Sequence, residues 1–215
     1  MKTPNIPVAK EGYPFIFFAA FVTLILSIAA CSWIAYLGIA ATTFILCFFR
    51  DPERFIPAKI NAVVSPADGK IISIEKIEDE KYLNQEVFKV CIFMNVFNVH
   101  VNRVPLSGQV KKIIHTPGKF YSADSEKGGL LNENCATIVT SEKGVSIAFV
   151  QIAGLIARRI INWLEISDNV VKGERFGLIR FGSRVDIYLP VDSSIAVEVG
   201  QKVRAGETIL GYLDS

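Results

Sequence analysis

The chain has 215 residues, 51% hydrophobic and 20% charged, and its 23 basic and 21 acidic side chains leave a formal charge of +2. So small a net charge gives no basis for nucleic-acid binding. Its four cysteines (Cys31, Cys47, Cys91, Cys135) lack paired metal-ligand spacing, so neither a bound metal nor a disulfide framework is expected.

The apolar residues are concentrated near the N-terminus. Positions 13–49 carry no charged side chain, and Arg50, Asp51, Glu53 and Arg54 follow at once. One membrane-crossing helix needs about 20 apolar residues, and this run approaches two such lengths. A helical hairpin over 13–49 is expected, with its turn near Cys31, Ser32 and Trp33 or near Gly38; a single tilted helix and an interfacial segment are the alternatives. The run is too long for a cleaved signal peptide, and no small-residue cleavage pattern ends it. Lys2 and Lys10 precede it and Arg50 and Arg54 follow, a basic flank at each end that favours both ends in the cytoplasm. RDPERFIP (50–57), with its charges and two prolines, reads as a linker, so the chain divides into an anchor and linker (1–57) and a second domain (58–215).

Beyond the linker, short alternating or β-branched runs separated by Gly, Pro, Asn and Asp predict strands at 62–65, 70–77, 87–93, 108–115, 136–140, 145–152, 177–181 and 184–189. The apolar spacing of LIARRIINWL (155–164) predicts one short helix. VSPADGKIISI (64–74) and VGQKVRAGETILGYL (199–213) each have the turn-and-strand pattern of half a lipoyl-like barrel sandwich. The expected fold is therefore mainly β (α+β): a β-sandwich or barrel assembled from both ends of the domain and preceded by a helical membrane anchor.

Gly182-Ser183, between two apolar strands, reads on residue type alone as a bulge or tight turn. Strain at that peptide would also let the Ser183 hydroxyl attack the Gly182 carbonyl, because glycine obstructs the approach little. Asp68 before Gly69 is a common turn aspartate. His100, one of two histidines, has the ordinary reading of a hydrogen-bonded residue in an apolar strand.

Taken in order, RDPERFIP (50–57), VSPADGKI (64–71), FNVHVNRVP (97–105), HTPGKFYSA (115–123), NEN (132–134) and FGSRVD (181–186) resemble the short prokaryotic class of phosphatidylserine decarboxylases, across nearly the whole chain. The resemblance implies a proenzyme that cleaves itself between Gly182 and Ser183 into a β chain (1–182) and an α chain (183–215). These remain together as a heterodimer, alone or further oligomerised. Ser183 becomes a covalent pyruvoyl cofactor, which forms a Schiff base with the amine of phosphatidylserine and yields phosphatidylethanolamine and carbon dioxide.

In the same resemblance Asp68 is the acidic member of the relay that activates Ser183. His100 is the general base for cleavage, the proton donor in decarboxylation, or both. Longer relatives carry two histidines three residues apart where this chain has His100 and Arg103, so the division of labour between two histidines does not carry over. His115 either supplies the second or is a surface residue. Arg103, Lys119, Arg158 and Arg159 are candidate partners for the head-group phosphate and carboxylate. The implied location is a bacterial or archaeal cell membrane, with the catalytic domain facing the cytoplasm. Two alternatives have different consequences: a membrane-anchored lipoyl-like adaptor would stay one intact chain, and a pyruvoyl enzyme for a soluble amino-acid-derived substrate would have no use for the anchor.

Overall fold

The computed structural model describes residues 7–29, 32–155, 159–180 and 182–213. It forms two compact units, Met1–Glu53 and Arg54–Ser215.

In the first unit, helix α1 (Tyr13–Ala29) follows a short 3-10 turn (Lys10–Gly12), and α2 (Ser32–Phe48) succeeds it. Of the first expected turn, Ser32 and Trp33 belong to α2, and Cys31 lies outside the described residues. Gly38 is not a turn: it sits inside α2 and lets the Thr23 side chain of α1 approach closely. Thr23 Oγ1 and Thr42 Oγ1 share a hydrogen bond of 3.0 Å between the helices. Small and hydroxyl residues are suited to such contacts, because apolar surface alone does not drive helices together in lipid. At the open end, Ala9 N–H donates to Phe49 O (2.8 Å) and Asp51 N–H to Pro7 O (2.8 Å). The stretch Lys10–Ile28 is long and apolar enough to cross a membrane, whereas Trp33–Phe48 is shorter. Phe17, Phe18, Ile28 and Tyr36 point outward, which suits lipid better than water.

The second unit is mainly β. Its strands are β1 (Ala62–Val64), β2 (Gly69–Asp79), β3 (Gln85–Met94), β4 (Val101–Arg103), β5 (Gly108–Thr116), then, after the short helix α3 (Glu126–Leu131), β6 (Asn134–Thr140), β7 (Ser146–Ile152), β8 (Ile160–Asn162), β9 (Asn169–Val170), β10 (Arg175–Ile179), β11 (Ser183–Pro190), β12 (Ser194–Ile195), β13 (Lys202–Val203) and β14 (Ile209–Tyr212). Eight form an antiparallel sheet in the order β13-β2-β3-β11-β7-β6-β5-β9, and two three-stranded sheets, β1-β14-β12 and β4-β10-β8, complete the domain. The domain's two ends meet as expected: β14 pairs with β1 and β13 with β2.

The helix expected over 155–164 is a correction. Ile160–Asn162 is a strand that pairs with β10 through Ile160↔Ile179 and Asn162↔Gly177. Two adjacent β-branched isoleucines favour extended backbone, and a sheet edge was available to take their hydrogen bonds. Residues 156–158 lie outside the described residues.

Strand β11 is buried on both faces. Val185, Ile187 and Leu189 point into the main core with Ile71, Ile92, Phe149 and Phe176. Tyr188, on the alternate face, joins Val87, Ala136, Ala148 and Val150 in a second core. Phe149 packs edge to face on Phe176 with ring centroids 4.7 Å apart. Phe149→Ala should cost about 3–5 kcal/mol, measured by urea unfolding of detergent-solubilised protein.

Candidate active site

The chain passes between the large sheet and the β4-β10-β8 sheet twice at the same end. It leaves β3 at Met94, turns through 95–98 and enters β4; it leaves β10 at Ile179 and enters β11 at Ser183. The crossings are registered on both sides, by Ser183↔Met94 in the large sheet and Leu178↔Val101 in the small one. His100 and the Gly182-Ser183 peptide therefore lie in one seam.

Gly182 adopts a φ of +66°, the left-handed region that a side chain disfavours, with open space where a Cβ would stand. Ser183 is fully buried, and its hydroxyl rests 3.5 Å from Met94 Sδ. Asn102 Nδ2 approaches the same sulfur at 3.8 Å, and Gln151 Nε2 holds Asn102 Oδ1 at 2.9 Å. Ser183 is thereby tied, through one thioether, to the strand that follows His100.

His100 is fully buried, and its Nδ1 lies 2.9 Å from Asn98 O. A carbonyl only accepts, so Nδ1 carries the hydrogen and Nε2 is the basic nitrogen of the neutral ring. The Asn95–Asn98 turn that supplies this carbonyl is closed by Asn98 N–H to Asn95 O (3.0 Å) and Asn95 N–H to Asn98 Oδ1 (2.9 Å). The His100 carbonyl in turn accepts from Ile179 N–H at 3.4 Å, three residues before Gly182.

The Asp68 turn is fastened to the far end of β4, where Arg103 N–H donates to Pro66 O at 2.9 Å. Both carboxylate oxygens of Asp68 accept from Arg54 Nη2 (3.1 and 2.8 Å), and Ala205 N–H donates to Oδ1 at 2.7 Å. Arg54 also lies 3.7 Å from Glu207. The cation seen against Asp68 is therefore an arginine of the segment read as a linker. Both motifs were visible in the sequence; the pairing of Arg54 with Asp68 was not.

The other candidates are dispersed. Arg103 is buried and donates to Gly173 O at 2.9 Å. His115 and Lys119 are exposed, His115 on β5 opposite Cys135 and Lys119 bridged to Asn132. Arg159 is exposed, and Arg158 and Phe181 lie outside the described residues.

Sequence reasoning passed over the residues directly after Ser183. Arg184 and Asp186 alternate onto the same buried face of β11, where Arg184 Nε meets Asp186 Oδ1 at 2.5 Å and Nη2 meets Oδ2 at 3.0 Å. Lys89 lies 3.6 Å from the same carboxylate, and Arg184 Nη2 lies 2.7 Å from Cys91 Sγ. Burial by itself works against the Arg184 charge, but Asp186 outweighs it and the guanidinium pKa rises. Burial, reinforced by the Asp186 charge, pushes the Cys91 thiol from 9.0 up to about 12. It also raises the phenols of Tyr82 and Tyr188. An Arg two residues before an Asp in a predicted strand was the available signal.

The sequence pattern of the phosphatidylserine decarboxylase family matches residues 41–211. The phosphatidylserine decarboxylase proenzyme of Desulfotalea psychrophila is 59% identical over 213 residues, covering 99% of this chain and 100% of that protein. The chain belongs to the phosphatidylserine decarboxylase family. The proenzymes of Syntrophus aciditrophicus (50% over 205 residues; 95% and 96% of the two chains) and Geotalea uraniireducens (46% over 213; 99% and 100%) match over the same extent. Membership makes the chain a carboxy-lyase and removes the adaptor alternative.

Two outcomes follow from the charges beneath β11. Asp186→Asn leaves Arg184 buried without its counter-charge and should cost about 3–5 kcal/mol in urea unfolding. The thiol and phenol shifts favour the neutral forms in the folded state, so their contribution is complete below about pH 9, the ordinary thiol value, and is lost as pH rises toward 12. Unfolding midpoints should fall across that window, and peptide mapping after iodoacetamide treatment at pH 8.5 should find Cys91 unmodified in the native protein.

Proposed function

We propose that this decarboxylase is a self-cleaving proenzyme in which Ser183 generates a pyruvoyl group, and that the observation carrying this reading is the left-handed Gly182 at the head of the buried strand β11. The Ser183 hydroxyl adds to the Gly182 carbonyl carbon, the amide C–N bond breaks, and an ester and a free amine replace it. Elimination then releases residues 1–182 with a carboxylate terminus and leaves dehydroalanine at 183. Its hydrolysis consumes one water, expels ammonia and leaves the pyruvoyl end.

The surroundings of residue 183 fit such a group. The hydroxyl rests on a thioether, a weak acceptor, so exchanging hydroxymethyl for methyl sacrifices little hydrogen bonding. The residue is buried away from bulk solvent, which limits side reactions of a reactive ketone. When formed, the pyruvoyl group supplies an electrophilic carbonyl that takes the substrate amine and draws off electrons as carbon dioxide leaves.

The protein's own groups do the rest. In this reading His100, its Nδ1 tied to the Asn98 carbonyl, acts through Nε2 as the base for the Ser183 hydroxyl and later returns a proton to the substrate carbon. Asp68, fixed by Arg54 and the Ala205 amide, is the acidic member of the relay in this reading. Lys119 and His115, both exposed, and the buried Arg103 are the head-group contacts of this reading. The β chain (1–182) and α chain (183–215) stay associated as a heterodimer, because β11, β12 and β14 all pair with one another or with strands formed before the cut. The division into an anchor with linker (1–57) and a catalytic domain (58–215) belongs to the same proposal. So does placement at the cell membrane of a bacterium or archaeon with the domain in the cytoplasm, which the basic flanks of the hairpin support.

The purified parent should give two fragments divided after Gly182, the smaller with a pyruvoyl-blocked end by mass spectrometry. Ser183→Ala should remain a single 23.7 kDa chain, and its carbon dioxide release from phosphatidylserine vesicles should fall to background. An intact parent that decarboxylates phosphatidylserine would refute the reading.

A further inference from the structure

Gly154, just beyond β7, has no conformational need to be glycine, since its φ lies outside the left-handed region in which Gly182 is found. Its need is steric. A Cβ built on Gly154 would collide with the Gly182 carbonyl oxygen and stand 3.1 Å from the Gly182 carbonyl carbon, with Ala123 Cβ 3.5 Å away. The bare α-carbon of Gly154 is thus the surface against which this carbonyl lies.

That surface is held firmly. Ala153 N–H donates to Glu133 O at 2.9 Å, and Asn132 Nδ2 donates to Ala153 O at 2.8 Å. Asn132 is itself buried and doubly bonded to Tyr121, through Tyr121 N–H to Oδ1 (2.7 Å) and Nδ2 to Tyr121 O (2.9 Å). Asn134 Nδ2 donates to Asn132 O at 3.0 Å. The NEN sequence therefore has a physical use: it clamps both polar groups of the Ala153 residue on one side of Gly154, so a side chain at 154 could not be relieved by easy recoil of the backbone there.

We infer that Gly154, clamped through Ala153 by Asn132, is a positioning residue that seats the Gly182 carbonyl for attack by Ser183. The inference rests on the self-cleavage reading. The direction of the carbonyl oxygen sets which face of the carbonyl carbon meets the Ser183 hydroxyl, and small displacements of a reacting centre slow reaction steeply. Gly154→Ala pushes the oxygen out of its seat while every group proposed to do the chemistry remains. Asn132→Asp loosens the clamp without adding bulk, because it keeps the acceptor for Tyr121 N–H and loses the donor to Ala153 O and Tyr121 O.

Full-length parent, Gly154→Ala and Asn132→Asp chains, made by short pulse synthesis into membranes, are followed for appearance of the small fragment. Each substitution is also placed in a Ser183→Ala background, where cleavage is blocked for all, and its thermal midpoint is compared with that of Ser183→Ala alone. The expected result is cleavage slowed by at least about tenfold in Gly154→Ala, about 1.4 kcal/mol in barrier, and by less in Asn132→Asp. The midpoint of Gly154→Ala in the blocked background should shift by no more than about 4 °C. Parental cleavage rates in both variants would overturn the inference alone. Collapse of folding in the blocked background would do so too, since the glycine would then be a packing requirement only. A parent that stays intact with serine at 183 would overturn the self-cleavage reading and this inference with it.

Discussion

Strand β11 is hydrogen-bonded along both edges, to β3 on one side and β7 on the other, and the rest of the domain is arranged around that fact. Its register with β3 begins at Ser183↔Met94 and runs to Pro190↔Val87, so the residue proposed as the cleavage serine is the first rung of a long ladder. Apolar burial on the odd-numbered face and a second core on the even-numbered face leave it no freedom to slide, because a one-residue slip would exchange Val185 and Ile187 for Arg184 and Asp186 in the main core. A chain break just before Ser183 would interrupt one covalent bond and none of these contacts. Retention of the C-terminal segment after such a break follows from the sheet and needs no separate device.

The pair Arg184–Asp186 looks costly beside that economy. Burying two charges forfeits hydration that their mutual attraction repays only with good geometry. Here the geometry is bidentate, and Lys89 stands at the same carboxylate. The position of the pair is its explanation: it fixes the residue next to Ser183 on the face opposite the Ser183 side chain. Arg184 also lies against Gly129 of α3, where a side chain would press on the guanidinium. The first rung is thereby held from beneath while its other face carries the Ser183 side chain.

The long strands were legible because a half-buried or buried strand leaves a two-residue period or a β-branched run, and every strand expected from such runs is present. The short ones were less so: Ile160–Asn162 and Asn169–Val170 are too brief to show a period and exist because an edge was waiting for them. At 155–164 the apolar spacing suited a helix, and tertiary pairing overrode it. Ser183, His100 and Asp68 stood in recognisable motifs, yet their surroundings did not. Arg54 reads as part of a charged linker until the fold sets it on Asp68, and Gly154 reads as an ordinary loop glycine until Gly182 arrives beside it. A residue whose role is defined by a backbone group far along the chain leaves no local signature.

The placement of the peptide at the seam also explains why the proposed cleavage would not sit within a strand. Inside a ladder, neighbouring carbonyls and amides are engaged by flanking strands, and a side chain cannot fold back on its own backbone without breaking those bonds. Outside the sheets altogether, the carbonyl would be solvated and its direction undefined. The junction before β11 avoids both conditions: Ser183 is anchored by its pairing with Met94, while Gly182, left-handed and preceding the first rung, lays its carbonyl against Gly154. One side of the peptide bond is fixed and the other is oriented without being locked into a strand. That asymmetry requires glycine for two separate reasons, a backbone angle at 182 and a close approach at 154, and both meet at one carbonyl group.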